Sequence, residues 1–263
     1  MTTLSSYLTV ANNLAKWQQI TAKSAAVTTQ TKYFQANIGS VKSAADLVKN
    51  PRLFNYAMTA YGLGDRTYAK ALMSQVLQQG VSSSTALANK LNDPKILAFA
   101  KAFNFASNGA QTTSSSTLVS NVVAAYTENQ LETDQGQSNP GVQLALYFQR
   151  NAPKVTSAYG LLADKQLLQV AQTALGISSM TSVEPIDTQA KMLAAKINFA
   201  DFQDPAKLQK FISRFAAMYD SNNPNAGSGS APANALSLSF SQGAGAGLND
   251  MRLMTSMLGY RSF

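Results

Sequence analysis

Apolar residues recur along most of this chain at steps of three and four positions, which is the spacing of an amphipathic helix. The first such stretch has its apolar positions at Leu4, Leu8, Ala11, Leu14 and Ala15, with Trp17 and Ile20 beside them. Residues 1–38 contain neither glycine nor proline. The pattern therefore predicts one long amino-terminal helix, loosened only near residues 27–29, where β-branched side chains follow one another.

Several later helices are predicted to begin at an Asn or Asp that precedes proline. The pairs are Asn50-Pro51, Asp93-Pro94 and Asp204-Pro205. The polar side chain can cap the first free N–H groups of a helix, and proline is tolerated in the first turn because no hydrogen bond is expected from its nitrogen. Asp164-Lys165 keeps the capping side chain without the proline.

A stretch of the pattern occurs twice. Residues 33–63 return as residues 147–177, shifted by 114 positions and without a gap. Identical positions include Tyr33/Tyr147, Phe34/Phe148, Gln35/Gln149, Asn37/Asn151, Leu47/Leu161, Leu53/Leu167 and Gly62/Gly176. A repeated block of this kind indicates two copies of one supersecondary unit that bury their apolar faces together.

These patterns predict an all-α fold of two duplicated multi-helix halves packed together, with a long N-terminal helix and a short C-terminal helix after a flexible linker. The predicted segments are a first helical repeat at 1–105, a connector at 106–116, a second helical repeat at 117–220, a Gly/Ser/Asn-rich linker at 221–247 and a C-terminal helix at 248–263.

The positive charge of the chain lies mainly in its first part. The formal net charge is +8, and residues 1–101 hold eleven Lys or Arg against three acids. A basic segment of this size can meet nucleic acid, an acidic partner or an anionic membrane surface. The lysines are dispersed singly, however, so we interpret them as a solvated surface.

The residue types that most often carry catalysis are scarce here. The chain has no cysteine and no histidine, so it has neither a thiol nucleophile nor the commonest general base and metal ligand. Glu128 and Glu132 stand one helical turn apart, but without histidine we interpret them as a solvated helix face. We therefore predict no catalytic, cofactor-binding or metal-binding residues and no enzyme activity; the alternative is an enzyme with a lysine or carboxylate centre, since burial alone can lower the pKa of a lysine.

A cytoplasmic nucleic-acid-binding protein is the rival function. The best candidates for such binding are Lys207, Lys210 and Arg214 on one helix face, together with Lys95 and Lys101. Phe211 and Phe215 could stack on bases, but their spacing fits the apolar side of the same helix. We interpret them as core residues.

Two apolar stripes near the ends of the chain are the candidates for partner binding or self-association. Their residues are Leu4, Leu8 and Trp17 at one end and Leu248, Met251, Met254, Met257 and Leu258 at the other. No apolar run approaches the roughly 18 residues of a membrane span, and the first residues do not resemble a cleaved secretory signal. The expected location is the cytoplasm, or the flagellum after export without a cleaved signal.

The flagellar expectation comes from a resemblance. The Asn/Asp-Pro-x-x-Leu/Phe helix starts, the YFQ-x-N block at 33–37 and 147–151, and the sequence MRLMTSMLGY at 251–260 resemble a bacterial family of unknown function. The likeness spans nearly the whole chain. It implies an all-helical fold and an association with flagellar proteins, and it carries over no functional residues. In composition and in its two terminal stripes the chain is also similar to flagellar axial proteins, which pair helical termini in the filament.

Overall fold

The computed structural model describes residues 1–224 and, within that range, consists of helices without a β-strand. The predicted all-α class is confirmed. The α-helices are α1 Thr3–Ala11, α2 Leu14–Lys23, α3 Ala25–Asn37, α4 Ala44–Lys49, α5 Pro51–Ala60, α6 Lys70–Gln79, α7 Leu87–Lys90, α8 Pro94–Ala102, α9 Phe105–Asn108, α10 Ser116–Ser138, α11 Pro140–Asn151, α12 Ala158–Leu162, α13 Lys165–Leu175, α14 Ile186–Ala194 and α15 Pro205–Asn222. None of these helices has the length and apolarity needed to cross a membrane.

Short 3-10 helices occupy several of the connections. They lie at Ile38–Ser40, Gly64–Arg66, Gly109–Ser114, Ala152–Lys154, Ser179–Val183 and Phe199–Gln203. The predicted connector at 106–116 therefore contains most of α9 and a 3-10 helix. Its Thr113 is buried and donates a hydrogen bond to the carbonyl of Val41 at 2.6 Å, which ties the connector to the loop before α4.

The predicted helix starts are confirmed. Asn50, Asp93, Asp164 and Asp204 each accept two backbone N–H groups from the first turn of the helix that follows. Asn139 does the same for one N–H at the start of α11, where proline again takes the first position. These side chains fix the starts of α5, α8, α11, α13 and α15 because they satisfy N–H groups that a helix itself leaves free.

The predicted long N-terminal helix is instead divided into three. The breaks fall at Asn12-Asn13 and at Ser24, not at residues 27–29. Ser24 has an extended backbone, with ψ at 145°, and its hydroxyl accepts the N–H of Val27 at the start of α3. The Ser24 hydroxyl competes for backbone groups in this way, which explains why the apolar period did not continue as one helix at this point. At the other break the Asn13 side chain makes no capping hydrogen bond, and its backbone lies outside the helical range, with φ at −132° and ψ at 35°.

Two separate apolar cores hold the helices together. We define the first core by residues of α3 to α9 and the start of α10, including Phe34, Leu53, Phe54, Met58, Phe99, Phe103, Leu118 and Val122. We define the second core by residues of α1, the end of α10 and α11 to α15, including Tyr7, Val10, Leu131, Phe148, Leu161, Val170, Phe202, Ile212 and Phe215. Helix α10 contributes to both cores and packs against α2, α5 and α11.

The first helix of each predicted repeat packs on the core of the other repeat. In α1, Leu4 and Leu8 pack against the second core. Their equivalents after the 114-residue shift, Leu118 and Val122 in α10, belong to the first core. Packing therefore crosses the repeat boundaries predicted from the sequence. Each core includes one helix from the other predicted repeat.

The order of elements is the same in the two stretches that the sequence matched. Helix α3 and the elements through α5 correspond to α11 through α13, and each series runs helix, 3-10 turn, short helix, helix. Both series end in a glycine with positive φ, Gly62 at 69° and Gly176 at 65°. After each glycine, the next N–H reaches back to the carbonyl five residues earlier, at 2.8 Å for Leu63 and 2.9 Å for Ile177. This arrangement is a Schellman motif. A duplication explains these shared features, and it stays a prediction.

The helix α1 is held by polar contacts as well as by the second core. The Asp220 carboxylate accepts the backbone N–H of Thr3 at 2.9 and 3.1 Å, and it also accepts the Thr3 hydroxyl. Asn139 donates to the same hydroxyl at 3.0 Å. A Cβ added to Gly141 would lie 2.6 Å from the Tyr219 ring and 2.8 Å from Thr3, so glycine permits the close approach of α1, α11 and α15. The predicted C-terminal helix at 248–263 and nearly all of the linker lie outside the described residues.

Candidate functional site

A cleft of about 360 Å³ lies where helices of the two predicted repeats meet. One wall is formed by the end of α5 and the start of α8, and the other by α11, α12, α13 and the loop between α11 and α12. The polar groups on its lining are Tyr61, Lys95, Glu128, Tyr147, Arg150, Asn151, Lys154, Thr156, Ser157 and Asp164. A concave site of this size with converging polar groups is where a ligand is most often bound.

At the base of the cleft, Tyr147 is hydrogen-bonded to the residue that caps α13. Its hydroxyl donates to a carboxylate oxygen of Asp164 at 2.5 Å, and the other oxygen of Asp164 accepts the N–H groups of Gln166 and Leu167. Both Tyr147 and Asp164 are buried. Burial, followed by the charge and hydrogen bond of Asp164, raises the pKa of Tyr147, so its hydroxyl stays a donor.

A buried ion pair lies behind this tyrosine. Arg150 donates through Nε and Nη2 to the two carboxylate oxygens of Glu132, at 2.7 and 2.8 Å. Glu132 has 5% of its surface exposed, so the prediction of a solvated face is wrong for this residue. Burial raises the pKa of Glu132 although Arg150 is beside it, because removing the carboxylate from water outweighs the attraction of the guanidinium.

Glu128 lies one turn earlier on α10, at the edge of the cleft, and is partly exposed. Its carboxylate is 3.8 Å from Nη1 of Arg150 and accepts Nε2 of Gln18 at 3.4 Å. The two glutamates therefore do not form a matched pair. Glu132 is a buried partner of Arg150, whereas Glu128 is a surface acid that faces the cleft.

Two lysines approach the same tyrosine and arginine from opposite sides of the cleft. Lys95 of α8 donates to Oε1 of Gln166 at 2.9 Å and lies 4.8 Å from the centre of the Tyr147 ring. Lys154 is on the rim, where it donates to Oδ1 of Asn151 at 3.3 Å. Loss of hydration, followed by the charge of Arg150, lowers the pKa of Lys154. Within residues 1–224 neither lysine has a carboxylate within ion-pair distance.

The first repeat has a different site at the equivalent place. Asn50 donates to the hydroxyl of Tyr33 at 3.2 Å, and the guanidinium of Arg52 lies 3.9 Å from the centre of the Tyr33 ring. These residues are partly exposed and near the surface. The equivalents of Arg150 and Lys154 are Ala36 and Ser40, so this site has no buried ion pair. Sequence reasoning missed the cleft, and the signal that could have found it is this difference between two otherwise matched stretches.

The predicted partner-binding residues fall into two groups. Leu4, Leu8 and Trp17 are partly buried and pack against the second core. Leu248, Met251, Met254, Met257 and Leu258 lie outside the described residues. Their partner-binding role stays a prediction.

An exposed apolar patch lies elsewhere, between α13 and α14. It consists of Met180, Val183 and Ile186, whose side chains are 73%, 82% and 59% exposed. Met180 and Val183 lie three residues apart in a 3-10 helix and therefore point the same way. We refer to these three residues as the apolar patch.

The residues proposed for nucleic-acid binding lie in different parts of the structure. Lys207 is bound to Asp201 at 2.8 Å, and Lys95 lies in the cleft. Phe215 is fully buried, and Phe211 stacks on Phe148 with ring centres 5.4 Å apart. Both phenylalanines pack in or against the second core, as predicted.

Comparison with known proteins gives a family but no activity. A sequence model of a family described as "Protein of unknown function (DUF1217)" matches residues 60–208. The crystal structure of protein AGR_C_984 from Agrobacterium tumefaciens is similar, with 39% sequence identity and a TM-score of 0.79. The match covers 84% of this chain and 94% of that one. Among curated proteins no match is found.

Proposed function

The chain belongs to the DUF1217 family of proteins of unknown function, and for this member we propose a non-enzymatic role in structure or assembly, associated with the flagellum. The action would be through helix-mediated contacts with a protein partner or with a second copy. The flagellar setting rests on the sequence resemblance alone.

The observation that carries the proposal is the use of the N-terminal apolar stripe inside the folded body. Tyr7 and Val10 are each 1% exposed, and Leu4 and Leu8 pack beside them on the second core. An amphipathic helix buried in this way is not free to pair with a partner. Of the two stripes that the sequence offered for assembly, the segment at 248–258 is therefore the one we assign to partner contacts.

The apolar patch also supports a role in assembly. Three adjacent large apolar side chains that remain mostly exposed are a common feature of surfaces that bind other proteins. Tyr159, 54% exposed, donates to Asp187 at 2.7 Å and so joins α12 to the helix that follows the patch. This surface would suit the apolar face of a helix from a partner.

Truncation tests the proposal. A chain that ends at residue 247 should keep the circular dichroism spectrum and thermal stability of the folded body, but its self-association, measured by analytical ultracentrifugation, should be weaker. Met251→Ser combined with Met254→Ser should have the same effect at full length, because it removes apolar area without shortening the chain. As a control, Tyr68→Ser removes a large apolar side chain that is 81% exposed and lies in the first repeat.

The flagellar setting needs a separate measurement. In cells that lack the protein, swimming should be impaired; the full chain should restore it, and the chain ending at residue 247 should not. Normal swimming without the protein would contradict the flagellar part of the proposal. Unchanged association after truncation would contradict the role of residues 248–258.

A further inference from the structure

The cleft between the two repeats has more hydrogen-bond donors than the protein itself uses. In Arg150, Nε and Nη2 are bonded to Glu132, whereas Nη1 has only the Glu128 carboxylate at 3.8 Å. The ammonium groups of Lys95 and Lys154 each donate to one neutral amide oxygen, although an ammonium carries three donors. Three cations thus converge on one concavity.

Tyr61 and Thr156 add neutral donors on the same lining. Within the described residues, neither hydroxyl makes a hydrogen bond. Burial raises the pKa of Tyr61 to about 12, so its hydroxyl carries a proton across the physiological range. The acceptors on the lining are fewer, since both carboxylate oxygens of Asp164 are engaged by Tyr147 and by the start of α13. Glu128 is a partly exposed acid that faces the cleft.

The remaining lining is apolar. Ala60, Pro94 and Ala98 lie on the side of the first repeat, and Val155 and Leu167 lie on the side of the second. A ligand with a charged group alone would leave these surfaces in contact with water. A ligand with an apolar body would bury them and gain the free energy of that burial.

We propose that this cleft binds a small organic anion, with a carboxylate or phosphate group held by Lys95, Lys154 and Nη1 of Arg150, and an apolar body against the alanine-rich wall of α5 and α8. Charged donors give the strongest hydrogen bonds to such groups. The cavity volume of about 360 Å³ limits the ligand to a small molecule. The inference goes beyond the assembly role and does not depend on it.

Titration calorimetry with phenyl phosphate and with benzoate, on the full chain at constant ionic strength, tests the proposal. At least one of the two should bind saturably. Lys154→Gln should then weaken binding about tenfold, which is about 1.4 kcal/mol, because the anion loses a charged donor. Lys42→Gln is the matched control, because Lys42 lies in the equivalent loop of the first repeat, donates to the carbonyl of Gly39 and is not part of the cleft lining.

Glu128→Gln should change the affinity in the opposite direction to Lys154→Gln. The pair of variants therefore separates specific binding from damage to the fold. It removes the negative charge that faces the cleft and should strengthen binding of the same probe. A damaged cleft would weaken binding in both variants.

The proposal would be overturned if neither probe binds saturably, if Lys154→Gln binds as well as the unmodified chain, or if Lys42→Gln loses as much affinity as Lys154→Gln. Inorganic phosphate serves as the test of the apolar wall. Phosphate that binds as tightly as phenyl phosphate would contradict the part of the proposal that concerns an organic body.

Discussion

The sites around Tyr33 and Tyr147 occupy equivalent places in two matched stretches and differ in charge and burial. Each tyrosine is hydrogen-bonded to the residue that caps the last helix of its stretch, Asn50 at α5 in one case and Asp164 at α13 in the other. Around Tyr33 the contacts are neutral or solvent-exposed, apart from Arg52 on its ring. Around Tyr147, the buried Asp164 and the partly exposed Arg150 and Lys95 are brought together on the lining of the cleft.

The two stretches therefore share their backbone conformation but differ in the charge of their side chains. Caps, turns and apolar positions are shared, because they determine whether the helices form and pack. The charges are not shared, because Arg150, Lys154 and Glu132 correspond to Ala36, Ser40 and Gln18 after the 114-residue shift. Function is therefore expected where the two stretches differ rather than where they agree.

The largest loss of stability is expected from removing α1, because the second core would lose the helix that the first predicted repeat contributes to it. Deleting residues 1–13 removes Tyr7 and Val10 from the second core and leaves Asp220 without Thr3. The loss of several buried side chains approaches the whole stability of a domain, about 5–15 kcal/mol, so cooperative thermal unfolding should disappear. Ile20→Ala, at a half-exposed position of α2, should leave the unfolding temperature nearly unchanged.

The next largest loss of stability is expected from Arg150→Met, which leaves the buried carboxylate of Glu132 without its ion-pair partner. Breaking a buried pair in this way costs about 3–5 kcal/mol. The pKa of Glu132 is already raised by burial and should rise further, so the stability that it contributes is present at low pH and is lost as the pH rises through its pKa in the folded state. Urea denaturation should therefore show a smaller loss near pH 5 than near pH 8.

Arg52→Met is the comparison in the first repeat, because Arg52 is the arginine beside Tyr33 although it is not the equivalent of Arg150. It removes a partly exposed contact with the tyrosine ring and hydrogen bonds to Gln30 and Thr29, and it should cost about 1 kcal/mol, with no similar dependence on pH because no carboxylate is left unpaired. Equal losses in the two variants would contradict the distinction between the sites.

A smaller difference is expected between the two caps. Asp164→Ala removes a helix cap, worth about 1 kcal/mol, and also leaves the Tyr147 hydroxyl buried without its partner, worth about 1–3 kcal/mol more. Asn50→Ala should cost about 1 kcal/mol, because the Tyr33 hydroxyl is near water. Chemical denaturation of both variants measures the difference, and an Asn50 variant as unstable as the Asp164 variant would refute it.

The smallest difference is expected where the stretches agree. Gly62→Ala and Gly176→Ala both place a side chain at positive φ, which costs about 1–2 kcal/mol. Their unfolding midpoints should fall by similar amounts. A large loss at one glycine alone would show that the two helix ends are not equivalent.

Much of the fold could be predicted from the sequence, because its signals are local. The Asn/Asp-Pro pairs indicated the starts of α5, α8 and α15, and the spacing of apolar residues indicated the all-α class. The division of the N-terminal helix at Asn13 and Ser24 could not be read from the spacing, since polar residues inside an amphipathic pattern are compatible with one helix or with two. The sequence also could not show which core α1 packs against, because an apolar stripe does not specify the surface that it covers.

The candidate site was less predictable for the same reason. Glu132 looks in sequence like a solvated residue on a helix, and only its distance of 2.7 Å from Arg150, 18 positions later, shows that it is buried and paired. Lys95 reaches the cleft from a different repeat altogether. Sites assembled across such separations need the tertiary structure.

The exchange of helices implies that the two cores unfold together, and Trp17 allows a direct test. It is the single tryptophan of the chain and packs against the second core, whereas Met58 is fully buried in the first. Met58→Ala should cost about 2–5 kcal/mol. In the Met58→Ala variant, the unfolding midpoint measured by Trp17 fluorescence should fall together with the midpoint measured by far-ultraviolet circular dichroism. A Trp17 midpoint that stays at the value of the unmodified chain would contradict it.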